Sequence, residues 1–203
     1  MKPPAPIRWS GSSSVVAGLL YFVGYAGMAE LLPPVMGNLG GHVTLGLAGL
    51  ATLPALAGAM VRDAGRSGRL GVAGYVLSSI GATVFSAGNL AEGLWLTEFG
   101  TRLFALGYVG LTAGVVLLGF ALPRAKVLPA WSVWPLAVGW TLFLPVANSP
   151  TIFGFAPFAP SLLAAGMLGA GWMMLGRALW GAGARGSRDR GENAAGDAPS
   201  GLG

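Results

Sequence analysis

The chain has 203 residues, of which 54% are hydrophobic and only 9% are charged, and its formal net charge is +5. In soluble domains about a quarter of all residues are charged. A chain this poor in charge cannot cover a water-facing surface, so a soluble globular domain is excluded. The chain contains no Cys, which excludes disulfides, thiolate metal sites and cysteine nucleophiles.

Six apolar runs follow one another, at about 14–32, 43–61, 70–94, 102–122, 131–147 and 160–180. A helix needs about 20 mainly apolar residues to cross about 30 Å of hydrocarbon, and no run alternates as a barrel strand does. The pattern predicts an all-α protein, a polytopic transmembrane bundle of six helices over 14–180. The segment 1–13 precedes it, and a Gly/Ala-rich, charged tail over 181–203 follows, which we expect to be disordered. A cleaved signal peptide is the alternative interpretation of the first run.

The basic residues divide unequally between the two ends of the predicted bundle. Eleven lie before the first run, in the second and fourth loops, near the end of the sixth run or after it, whereas Arg102 alone lies on the other side. Because short basic loops stay in the cytoplasm, we expect both termini to be cytoplasmic and the chain to be a multi-pass protein of the bacterial inner membrane. We expect no nucleic-acid binding, since these cations lie in short loops between spans.

Glu30 ends the first run, where an ionisable group is costly unless it has a role. On a helical wheel it shares a face with Val23, Ala26 and Gly27. Small residues let helices approach closely, so we expect Glu30 to face the bundle. Solvation among the outer headgroups is the alternative.

His42, at the start of the second run, is the only His in the chain. A zinc site needs three or four ligands, and Glu30, Glu92 and Glu98 are the only acidic side chains predicted at the same end. His42 is therefore a weak candidate metal ligand. We expect it to be a hydrogen-bonded interface residue, with no metal and no cofactor.

The third run is the most polar of the six. Its polar side chains fall within one arc of the helical wheel: Ser78, Ser79, Ser86, Asn89 and Glu92. We expect this arc to face the protein interior, because lipid cannot satisfy polar groups. Packing contacts and a polar path into the bundle are the two interpretations of the arc.

The fourth run begins with Glu98 and Arg102, four residues apart in the order that favours a helical ion pair. Arg102 could instead meet Glu30, Glu92 or an anionic headgroup. Later in this run Gly110 and Gly114 form a small-xxx-small pattern, which is typical of close helix contact. Residues 166 and 170 repeat the pattern in the sixth run.

Polar residues from several runs are predicted at the outer end, and they could line a ligand or ion vestibule: Glu30, Asn89, Glu92, Arg102 and Asn148. The uncharged segment NSPTIFGFAPFAP follows the fifth run, and its aromatic side chains could form a lid over the vestibule: Phe153, Phe155 and Phe158. A polar rim of helix ends is the alternative interpretation of the same residues.

Residues 121–136 read ALPRAKVLPAWSVWPL, a basic loop with prolines that leads into a Trp-led helix. The segment resembles a turn found in uncharacterised bacterial polytopic membrane proteins. The resemblance implies a multi-span membrane fold and brings no activity or site residue with it.

The sequence lacks the motifs of several membrane enzymes and pigments. A retinal protein needs a Lys within a span, and no Lys lies within any of the six runs. The motifs HExxH and GxSxG and a phosphate-binding Gly-Lys loop are also absent from the sequence. We therefore predict a non-enzymatic accessory, sensing or assembly component of the membrane. A small transporter or lipid-binding protein is the alternative, and a metal-dependent intramembrane enzyme is the third hypothesis. The expected partners are membrane lipids and, as an open possibility, a second copy or another membrane protein.

Overall fold

The computed structural model describes residues 5–28, 38–94, 97–147, 162–163 and 165–181, and this part of the chain is helical apart from short turns. Five helices have described bounds: α1 Ala5–Met28, α2 Asn38–Asp63, α3 Gly68–Gly93, α4 Thr97–Arg124 and α5 Ala130–Ala147. A sixth helix, α6, covers residues 165–181. The predicted all-α fold is therefore confirmed for the described residues. The first helix begins before the predicted run, at Ala5 rather than near residue 14.

Within the described ranges, four helical stretches are long and apolar enough to cross a membrane: Trp9–Met28, Leu39–Asp63, Gly68–Gly93 and Glu98–Arg124. Large apolar side chains also cover much of the outer surface, such as Ile80, which is 58% exposed, and Leu106, which is 68% exposed. An extended exposed apolar surface is typical of a protein that contacts lipid or a partner.

Each helix packs antiparallel against the next, and α6 returns to pack against α1. At one interface Gly139 of α5 lies beside Leu168 of α6, and at the closing interface Gly18 of α1 lies beside Gly169 of α6. The antiparallel order places the end of α2, the start of α3, the end of α4 and the end of α6 together. This end, which carries Arg62, Lys126 and Arg177, is called the basic end below.

Glycines seven residues apart form the contact between α3 and α4. The α3 row contains Gly74, Gly81 and Gly88, and the α4 row contains Gly100, Gly107 and Gly114. A Cβ on Gly81 would lie 2.1 Å from the Leu111 backbone nitrogen. Seven residues are close to two helical turns, so each row stays on one face. The two backbones therefore touch directly along the whole interface.

The same spacing occurs between α1 and α6, where Gly11 and Gly18 meet Gly176 and Gly169. The small-xxx-small prediction is thus correct for Gly114, which lies in a glycine row. For Gly166 it stays a prediction, since a Cβ there would meet no atom of the described residues within 4 Å.

Aromatic rings fill the centre of the ring of helices. Trp140 of α5 meets Tyr21 of α1 edge-on at 5.4 Å between ring centroids, and it meets Phe85 of α3 edge-on at 5.7 Å. Trp172 of α6 stacks on Tyr21 at 6.3 Å. Edge-to-face and offset geometries at such distances are the favourable ones for aromatic pairs. Four helices therefore share one core.

Candidate functional site

The candidate site lies at the end of the bundle opposite to the basic end. His42 comes near the start of α2, Asn89 and Glu92 come near the end of α3, and Thr101 comes near the start of α4. Because these three helices are antiparallel neighbours, the four side chains meet at one level. We call them the polar clamp.

Asn89 is the buried centre of the polar clamp. Its Nδ2 donates a hydrogen bond to the Phe85 carbonyl oxygen at 2.9 Å, within the same helix. Its Oδ1 lies 3.2 Å from the His42 Nδ1. Since the amide NH₂ is directed at Phe85, the amide oxygen faces the imidazole, and the Nδ1 of His42 must be the donor. The amide oxygen thus links α3 to α2, while the amide nitrogen donates back to its own helix.

Glu92 extends the polar clamp to the third helix. Its Oε2 lies 3.6 Å from the His42 Nδ1, and its Oε1 accepts a hydrogen bond from the Thr101 Oγ1 at 3.0 Å. The Glu92 side chain is 20% exposed and that of His42 only 8%. The Glu92 carboxylate therefore lies between the imidazole of α2 and the hydroxyl of α4, at the edge of the bundle interior.

Arg102 lies outside the polar clamp, although the sequence grouped it with Asn89 and Glu92. Its guanidinium contacts the Glu98 carboxylate at 2.6 Å, and the two side chains are 76% and 83% exposed. The predicted local ion pair is therefore confirmed. An exposed pair of this kind contributes little to stability, and it leaves Arg102 directed away from the bundle interior.

The remaining predicted site residues lie outside the residues that the structure describes. They are Glu30 and Asn148 of the vestibule and Phe153, Phe155 and Phe158 of the lid. Within the described ranges, no three His, Asp or Glu side chains come together as a metal site would require. There His42 meets a single carboxylate, that of Glu92.

The α3 helix is oriented as its sequence predicts. Ser78, Ser86 and Asn89 are buried, and Val76 and Ile80 on the other face are exposed. The other two residues of the predicted arc, Ser79 and Glu92, are half-buried. The Ser86 hydroxyl donates to the Ala82 carbonyl oxygen of its own helix at 2.7 Å, as hydroxyls in apolar surroundings commonly do. This polar arc therefore packs against neighbouring helices.

Sequence reasoning did not identify Thr101 or the partnership of His42 with Asn89. Arg102, the neighbour of Thr101, is distinguished by its charge, whereas a Thr directly before an apolar run has no distinguishing signal. The burial of Asn89 was predicted from its arc, but no pattern in the chain indicates which neighbouring helix supplies its partner.

Replacing Asn89 by Leu should lower the free energy of unfolding by about 1–2 kcal/mol, because His42 loses an acceptor in a buried position. The measurement is unfolding by sodium dodecyl sulfate in mixed micelles, followed by circular dichroism. Thr83→Val is the matched control, since Thr83 is exposed on the same helix and its hydroxyl donates to the Ser79 carbonyl oxygen of that helix. Equal stability of both variants would contradict a stabilising role for the amide.

No protein-family model, no curated protein and no solved structure matches this chain.

Proposed function

We propose that the chain is a six-span protein of the bacterial inner membrane, with both termini in the cytoplasm, that acts as a non-enzymatic accessory, sensing or assembly component. Four apolar helices of spanning length support the membrane location. The concentration of cations at the basic end supports the orientation, because basic loops remain cytoplasmic.

One observation carries the non-enzymatic proposal: the polar clamp uses its hydrogen-bonding groups on itself. Both ends of the Asn89 amide are bonded, and both oxygens of Glu92 have a protein group within 3.6 Å. Side chains that line a transport path must exchange such bonds for a substrate or water. Here they join three helices, which is what a rigid membrane scaffold requires.

A small transporter is the second candidate function, and the His42–Glu92 pair favours it. Glu92 reaches solvent while His42 is nearly enclosed, so the pair could relay a proton, with the Nδ1–H of His42 as the donor and the Glu92 carboxylate as the acceptor. Ionisable groups inside a membrane bundle commonly serve such relays. The two functions differ in whether the pair moves charge across the membrane.

Reconstitution in vesicles tests the proposal directly. We expect imposed proton, Na⁺ and K⁺ gradients to decay at the same rate with the protein as in protein-free vesicles. Decay that requires the protein, is lost in Glu92→Gln and persists in Glu98→Gln would establish transport instead. Glu98 is the matched control, because its carboxylate lies at the same end but is exposed and bound to Arg102. Turnover of a lipid or peptide by the purified protein would also overturn the proposal.

A further inference from the structure

A second feature lies at the basic end, where the ends of α2, α4 and α6 surround a cleft of about 750 Å³. Its wall contains three cations, Arg62, Lys126 and Arg177, and its rim contains Trp131, the second residue of α5. The described lining residues include no acidic side chain. Among the described residues neither Lys126 nor Arg177 forms an ion pair, so the cleft concentrates positive charge.

Arg62 shapes the cleft by joining two of its walls. Its Nε donates a hydrogen bond to the Val127 carbonyl oxygen at 3.0 Å. This contact fixes the loop between α4 and α5 against the end of α2. The position of Lys126 within the same loop is therefore set by the fold.

Lys126 occupies a backbone position that suits glycine. Its φ is +54°, and it follows α4 in a Schellman turn, with hydrogen bonds from Lys126 to Pro123 and from Val127 to Leu122, both at 3.0 Å. Glycine is the usual residue there, because a Cβ is unfavourable at positive φ. The chain has 35 Gly and yet carries a lysine at this position. Unfavourable backbone conformations of this kind concentrate at functional sites.

We infer that this cleft binds the phosphate headgroup of an anionic phospholipid. Three cations fit a phosphodiester, and Trp131, 52% exposed, lies at the boundary where amphipathic aromatic rings collect. A water molecule occupies about 30 Å³ of liquid, so the cleft has room for a whole headgroup rather than a lone ion. Basic pockets between spanning helices on the cytoplasmic side are suited to such lipids. The inference goes beyond the proposed function and holds for a scaffold and for a transporter.

The test is native mass spectrometry of the detergent-solubilised protein with dioctanoyl phosphatidylglycerol, dioctanoyl phosphatidylcholine or inorganic phosphate. We expect one molecule of phosphatidylglycerol to bind in preference to phosphatidylcholine. The double variant Lys126→Gly/Arg177→Gln should bind it roughly 25-fold more weakly, since each cation near an anionic headgroup contributes about fivefold. Lys126→Gly alone should resist denaturant at least as well as the natural chain, which separates weaker binding from misfolding.

The matched control is Arg69→Gln/Arg124→Gln, which removes the same charge from basic residues that do not line the cleft. It should keep the natural affinity for phosphatidylglycerol. Equal weakening in both double variants, or no preference over phosphatidylcholine, would overturn the inference, because the attraction would then come from diffuse surface charge. Displacement of the lipid by millimolar inorganic phosphate would also overturn it, by making the free ion the ligand.

Discussion

Replacing Gly81 by Ala is expected to lower the free energy of unfolding by about 3 kcal/mol, near the upper end of what overpacking costs. The added Cβ would lie 2.1 Å from the Leu111 nitrogen and 2.6 Å from the Gly110 carbonyl carbon, where 3.4 Å is ordinary contact. These are backbone atoms of the opposing helix, so no side-chain rotation relieves the overlap. The two helices must separate by more than 1 Å, and the contacts at Gly74 and Gly88 loosen with them.

Gly166→Ala is the matched control, because it adds the same methyl group where no atom of the described residues lies within 4 Å. Its stability should stay within about 0.5 kcal/mol of the natural protein. Both variants are compared by sodium dodecyl sulfate unfolding in micelles, followed by circular dichroism. If Gly81→Ala unfolds at the same detergent fraction as Gly166→Ala, the direct backbone contact between α3 and α4 is wrong.

The helices and their buried faces were accessible from sequence because both depend on local composition. The predicted runs 43–61, 102–122 and 131–147 fall inside α2, α4 and α5. The inward polar arc of α3 follows from the cost of exposing serine, asparagine and glutamate to lipid. The enclosed positions of Trp140 and Trp172 follow from their place in the middle of apolar runs.

The glycine rows are visible in the sequence, but a pattern of small residues four apart does not identify them. In this fold the informative spacing is seven, as in Gly74, Gly81 and Gly88 of α3. A spacing of seven matches the repeat of helices that wind gently around each other. The four-residue pattern includes Gly114 of the α4 row, but it also includes Gly166, where a Cβ would meet no atom of the described residues within 4 Å.

The polar clamp and the basic cleft required the three-dimensional arrangement. Asn89 and His42 are 47 positions apart, and a polar arc shows only that a helix has an inward face, not which helix it faces. In the sequence, Arg62 and Arg177 indicate only the orientation of the chain in the membrane, because they lie at or near the ends of apolar runs. Their meeting with Lys126 in one cleft depends on the antiparallel ring of helices, which no local pattern contains.

Trp140→Ala is expected to lower the free energy of unfolding by about 4 kcal/mol, as large-to-small changes of a buried indole do. The indole touches Tyr21, Phe85 and Tyr108, which belong to three different helices. In a bilayer, lipid tails are as apolar as the core, so this shape-matched packing is a main source of helix association. Trp131→Ala, at an exposed Trp of the same helix, should change stability by less than about 1 kcal/mol.

Trp140→Phe separates packing from hydrogen bonding at the same position. The Trp140 Nε1 is buried and has no hydrogen-bond partner among the described residues, and an unpaired buried donor is itself unfavourable. Phe removes that donor and keeps an aromatic ring, so the loss should be only about 1 kcal/mol. The three variants are measured by the same micellar unfolding assay. A Phe variant as unstable as the Ala variant would mean that the indole N–H has an essential partner, and the aromatic centre would then be a polar site rather than a packed core.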